Sequence, residues 1–144
     1  MAEIKKILLV GATSAIAIAC ARRWSEQAVT FFLVGRTPDK LEQIADDLTA
    51  RGAVVHTHVL DLNQFDQHVA MLDACFLALG QVDIALIAHG TLPDQKACEG
   101  SAQLAVQEFS NNGLSVIALL TELANRMETK KSGCIAVISS VAGD

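Results

Sequence analysis

Apolar residues fall along this chain in two alternating patterns. "KKILLV" (5–10) is a continuous apolar run of the kind a strand buried on both faces presents. "VTFFLVG" (29–35) and "VDIALIAHG" (82–90) predict two more strands, the latter closed by glycine. "GCIAVISSVAGD" (133–144) predicts another strand running into a loop. "AVVHTHVLD" (53–61) is more polar and predicts a strand nearer a sheet edge. Between these runs the apolar spacing changes to the helical period. From Ser14 to Glu26, Ile16, Cys20 and Trp24 recur every fourth residue and mark one helix face. "TPDKLEQIADDLTARG" (37–52) opens on a Thr-Pro-Asp start and ends on a glycine cap, with Leu41, Ile44, Ala45 and Leu48 as its stripe.

The second half repeats the alternation. Residues 63–80 predict a helix with Phe65, Val69, Leu72, Phe76 and Leu79 facing inward. "TLPDQKACEGS" (91–101) reads as a surface loop. Residues 102–129 form a long helical stretch, interrupted near Asn111–Gly113. Strands alternating with helices imply parallel pairing through right-handed crossovers. The fold class is therefore α/β: a doubly wound parallel sheet, with helices on both faces, forming a single domain. In such sheets the ligand lies beyond the carboxyl ends of the strands.

Composition narrows the function classes. With 51% hydrophobic and 19% charged residues, the 144-residue chain is globular and long enough for one sizeable core. A net charge of −5 argues against nucleic acid and anionic membrane surfaces as partners. No apolar stretch approaches the ~20 residues of a membrane span, and the amino terminus lacks a signal-peptide layout. The expectation is a soluble, cytoplasmic protein. Four cysteines, Cys20, Cys75, Cys98 and Cys134, stand singly, so they read as small core hydrophobes rather than a metal knuckle or a disulfide framework. His56 and His58 share one strand face, and no further metal ligands accompany them.

The first crossover carries the chemistry. A helix that begins directly after a strand aims its free N–H groups and positive dipole end into the crevice. Gly11 permits the tight turn, Thr13 and Ser14 offer hydroxyls, and Ala15 and Ala17 keep side chains small. Gly11, Thr13, Ser14, Ala15 and Ile16 are thus candidates for holding a nucleotide diphosphate. An ordinary strand-to-helix turn is the alternative.

"GATSAIA", "VGR", "LDL", "IAHG", "NNGLS" and "GCIAVISSVAG", in that order and along the whole chain, resemble the short-chain dehydrogenase/reductase family. The family has glycine where this chain has Ala15 and Ala17, and Asn-Ala-Gly where it has Ala88-His89-Gly90. The strand order is expected to be 3-2-1-4-5, leaving "CIAVIS" on a sheet edge. At the end of the second strand, where an acidic residue selects NAD, this chain reads Gly35-Arg36. Arg36 can pair with a 2′-phosphate, so NADP(H) is the preferred cofactor and NAD(H) the second choice; a solvated turn residue is the alternative reading.

The resemblance implies further roles. Asp61 would accept from the adenine amino group, with Leu62 beside it, although Asp61 also reads as a helix N-cap. Ala88 and Gly90 would leave room for the nicotinamide-side ribose, and His89, also in this turn, has no standard family role and reads as structural. Ser140 matches the family's catalytic serine, with Ser139 as the alternative. Asn112 matches its asparagine because Ser115, a small residue, follows three positions later; Asn111 remains open. The family's Tyr-x-x-x-Lys pair would come roughly a dozen residues beyond Ser140. The chain contains no tyrosine, and Lys130 and Lys131 precede the fifth strand. The expectation is the amino-terminal, dinucleotide-binding half of an oxidoreductase acting on a small carbonyl or alcohol substrate, inactive by itself. By the same resemblance, residues 102–129 would join a homo-oligomer interface. A regulatory or redox-sensing nucleotide module, or a purely structural domain, are the competing readings.

Overall fold

A computed structural model of the chain describes residues 3–140; residues 141–144 of the expected final loop lie outside the described residues. Five strands, β1 (Lys5–Val10), β2 (Val29–Gly35), β3 (Val54–Val59), β4 (Ile84–Ile87) and β5 (Cys134–Val137), form one sheet in the order β3-β2-β1-β4-β5. All four pairings are parallel. This is the expected order, and the polar β3 is an edge strand as its composition predicts. Helices α1 (Ala15–Trp24), α2 (Pro38–Ala50), α3 (His68–Leu79), α4 (Gln95–Gly100), α5 (Ala102–Phe109) and α6 (Ser115–Glu128) connect or flank the strands.

Alternate strand residues build two cores. Ile7, Leu9, Phe31 and Leu33 pack with Ala17 and Ala21 of α1 and with Leu41 and Leu48 of α2. Leu8, Val10, Phe32 and Val34 pack on the opposite face with Met71, Leu72 and Cys75 of α3 and with Leu119 and Leu123 of α6. A side chain of this size contributes roughly 1.5–3 kcal/mol on leaving water, so both sheet faces must be covered. The unbroken apolar runs of β1 and β2 follow from this double burial.

Four local expectations differ from the structure. In α1 the sheet-facing residues are Ala17 and Ala21, while Ile16 is 52% exposed and Cys20 and Trp24 lie at the margin of the core. The Ser14 hydroxyl caps the helix by accepting from the Ala17 N–H at 3.2 Å, which fixes the rotation that turns the small residues inward. The 63–80 segment starts as a 3-10 turn, Phe65–Gln67, before α3 begins. The inward face of α3 is His68, Met71, Leu72, Cys75 and Leu79, with Phe65 and Val69 exposed. His68 donates through Nε2 to the Leu62 carbonyl at 2.8 Å, and this buried bond sets the helix phase.

Residues 91–101 are not all loop. Asp94 accepts from the Ala97 N–H at 3.2 Å and caps the one-and-a-half-turn helix α4, whose Gln95 and Glu99 side chains also meet. Of the cysteines only Cys75 is core; Cys20 and Cys98 are half-buried and Cys134 is exposed, all four as free thiols. Burial pushes the Cys75 thiol up to about 12. The interruption expected near Asn111–Gly113 is present as a π-helical turn, Ser110–Leu114, between α5 and α6.

Among the described residues β5 has no neighbour on its outer side, and Val137 and Ile138 are 41% and 40% exposed there. An unpaired apolar edge templates pairing with other chains. The isolated chain is therefore expected to self-associate in size-exclusion chromatography, and Val137→Lys to shift it toward monomer. A monomeric, cooperatively unfolding parent chain would contradict this.

Candidate functional site

Because every strand is parallel, the carboxyl ends of β1, β2, β3 and β4 open on the same side of the sheet. The backbone of β1 ends there in very tight quarters. Gly11 and Ala12 donate to the Val34 carbonyl at 2.9 and 3.0 Å, and Ala88 donates to the Val10 carbonyl at 2.8 Å. Gly11 has a φ of 73°, and a Cβ on it would lie 2.3 Å from the His89 nitrogen and 2.7 Å from the Ala88 carbonyl carbon. Only glycine satisfies both constraints.

A cleft runs along this edge, lined by Gly11, Thr13 and Ser14 from the first turn and by Gly35 and Arg36 from the end of β2. Leu60, Asp61, Leu62 and Asn63 follow β3, Ala88, His89, Gly90 and Thr91 follow β4, and Asn111 and Ser115 complete the wall. Nine of the expected residues thus come together: Gly11, Thr13, Ser14, Arg36, Asp61, Leu62, Ala88, His89 and Gly90. Ala15 and Ile16 are not among the lining residues. They are the first two residues of α1, and their N–H groups have no intrahelical partner. Ser140 and Ser139 are exposed beyond the end of β5 and do not line the cleft.

Asp61 does not cap a helix. Its Oδ1 accepts from the Asn63 N–H at 3.0 Å and its carbonyl accepts from the Gln64 N–H at 2.9 Å, closing a turn on itself. Arg36 is exposed on the cleft wall and makes no ion pair among the described residues.

The two asparagines divide the work between them. Asn112 Oδ1 accepts from the Thr91 N–H at 2.7 Å, and its Nδ2 donates to the Thr91 carbonyl at 3.1 Å. Asn111 faces the cleft and accepts from the Asn63 side chain, while Ser110 donates to Asn63 Oδ1 at 2.9 Å. Asn63 and Thr91 escape sequence reasoning. The only trace is that Asn63 stands two residues after an Asp, where an aspartate turn finds its N–H. Ser115 is fully buried; its hydroxyl donates to the Asn111 carbonyl at 2.7 Å and lies 2.9 Å from His89 Nε2. Burial, assisted by nearby His68, pushes His89 down to about 4.

A family model described as short chain dehydrogenase matches residues 5–144. An uncharacterized oxidoreductase of Mycobacterium tuberculosis is 34% identical over 138 residues, which are 95% of this chain and 55% of that protein. An uncharacterized oxidoreductase of Streptomyces coelicolor is 33% identical over 140 residues, 96% of this chain and 55% of that protein. The chain belongs to the short-chain dehydrogenase family and spans about half the length of these relatives. Among solved structures, a variant of actinorhodin polyketide ketoreductase with NADPH superposes with a TM-score of 0.90 at 23% identity, covering 99% of this chain and 56% of that one. NAD+-bound xylitol dehydrogenase does so at 0.84 and 20%, covering 96% and 54%. These two likenesses establish the fold, and the family uses NAD or NADP. Among the described residues no helix is long and apolar enough to cross a membrane.

His89 supplies a pH test of the site's packing. Its folded value of about 4 lies below its ordinary 6.5, so the unfolded chain binds the proton more tightly. The stabilisation is complete above about 6.5 and is lost as pH falls toward 4. His58, also lowered by burial, acts in the same direction. Denaturant titrations from pH 7 to 4 should therefore show a shallower decline for His89→Gln than for the parent, and parallel curves would refute the burial of a neutral ring.

Proposed function

We propose that the cleft holds a nicotinamide dinucleotide, NADP(H) in preference to NAD(H), and that the chain is the cofactor-binding part of an oxidoreductase. That enzyme would move a hydride between the nicotinamide and a carbonyl or alcohol carbon of a small molecule. The observation that carries the reading is the pairing of a glycine-tight turn and free helix N-terminus with the unpaired Arg36 on the adjoining wall. The N–H groups of Ala15 and Ile16 and the hydroxyls of Thr13 and Ser14 would hold the diphosphate. Arg36 would take the 2′-phosphate, in a place where no carboxylate competes.

Asp61 and Leu62 would meet the adenine, and Ala88 and Gly90 the second ribose. The cofactor supplies the hydride chemistry when bound. Ser140 would hydrogen-bond the substrate oxygen as it gains or loses charge. Asn112, clamped to Thr91, would hold the asparagine's place in the proton relay. The family's general acid/base is a tyrosine, and these 144 residues contain none. By itself the chain is expected to bind dinucleotide without turnover. Exposed Val106, Phe109 and Ile117 on α5 and α6 support the homo-oligomer expected along this helical stretch.

Fluorescence titration with NADPH and NADH tests the reading. NADPH should bind more tightly, and Arg36→Ala should weaken NADPH roughly 10- to 100-fold, as loss of a charged hydrogen bond does, with little change for NADH. Equal affinities, or indifference to Arg36→Ala, would remove the NADP preference. Failure of both nucleotides to bind would remove the nucleotide reading.

A further inference from the structure

The turn between α5 and α6 is held in an uncommon form. The Ser115 N–H reaches five residues back to the Ser110 carbonyl, passing the Asn111 carbonyl that an α-helix would have used. The Asn111 carbonyl is met by the Ser115 hydroxyl at 2.7 Å. A carbonyl oxygen only accepts, so the single Ser115 proton is committed to that bond. His89 Nε2, 2.9 Å from the same hydroxyl, must then be the donor. The ring is fixed as the Nε2–H tautomer, which leaves Nδ1 a bare acceptor; that buried atom has no partner among the described residues.

We propose that His89 is a positioning residue for the cleft: it donates to Ser115, Ser115 donates to Asn111, and this two-bond relay holds the 110–114 turn in its π form. Reversion of that turn to α geometry would re-phase α5 against α6 by about a residue, roughly 100°. Asn111 and Ser115 would leave the cleft wall, and Asn112 would lose its grip on Thr91. The relay is anchored at both ends. The His89 backbone abuts Gly11 of the diphosphate turn, and Asn63 holds Ser110 and Asn111 from the other side. His89 stands where the resemblance places an alanine, whose side chain could not reach Ser115.

The affinity arm of the test rests on the dinucleotide reading; the spectroscopic arm does not. Ring-nitrogen chemical shifts of the parent chain should show the Nε2–H tautomer for His89, and the Ser115 amide should be protected from exchange. The Nδ1–H tautomer would overturn the relay whether or not a nucleotide binds. In NADPH titrations, His89→Phe and Ser115→Ala should each weaken binding roughly three- to tenfold, and the double variant should be no weaker than either, as for one shared chain of bonds. His89→Gln, whose amide nitrogen reaches the Nε2 position, should restore binding to within about twofold of the parent. Additive losses, or a His89→Gln variant no better than His89→Phe, would reduce His89 to a space-filling role. Should the parent bind no dinucleotide, the function reading fails, and the tautomer and Ser115 exchange still decide the relay.

Discussion

The carboxyl edge of the sheet depends on how closely the last turn of β1 passes the end of β4. There is no space for one methyl group between Gly11 and the Ala88–His89 backbone. That closeness keeps Val10, Val34 and Ala88 tied into one network of backbone bonds and leaves α1 no room to start further away. The small residues that follow, Ala12, Ala17 and Ala21, are fully buried for the same reason. A helix start pressed against three strand ends leaves the unbonded N–H groups of its first turn at the carboxyl edge of the sheet. An anion site at this edge, as proposed, would thus be a consequence of packing before it is a matter of charge.

That distinction resolves an apparent conflict between the whole chain and the cleft. A net charge of −5 disfavours extended polyanions, whose binding depends on many scattered cations. A diphosphate needs only a few oriented N–H groups and one well-placed cation. Asp61, a carboxylate on the cleft wall, is partly occupied by the Asn63 N–H. Arg36 has no such internal partner among the described residues, so its charge is available to a ligand.

Features set by periodicity and by glycine were legible in the sequence. Strands buried on both faces write continuous apolar runs, and so β1, β2 and their place in the sheet could be read directly. Gly11, Arg36, Asp61 and Ala88–Gly90 could be found because each sits at a strand end, where topology alone brings them together. What escaped was set by capping and by helix phase. Ile16 recurs at helical spacing with Cys20 and Trp24, yet the Ser14 cap rotates it to solvent. Val69 shares the period of Leu72 and Phe76, but the 3-10 entry and the bond from His68 to Leu62 turn Met71 and Cys75 inward instead. Helix α4 is held by one Asp94 cap, which a stretch containing proline and glycine hides.

Asn111 and Asn112 sit together in the one irregular turn of the 102–129 stretch. Consecutive residues on a helix face directions about 100° apart, and the two adjacent asparagines accordingly take different partners, Asn63 and Thr91. Within the π turn, Asn111 lines the cleft while Asn112, outside the lining, reaches across to Thr91. A π turn is seldom stable without support, and Gly113 within it adds freedom rather than restraint. Support comes from side chains on two different loops, Asn63 after β3, which meets Ser110 and Asn111, and His89 after β4, which meets Ser115 at the turn's end. The polar residues that looked incidental in the sequence are therefore the ones that hold the wall on which both asparagines depend.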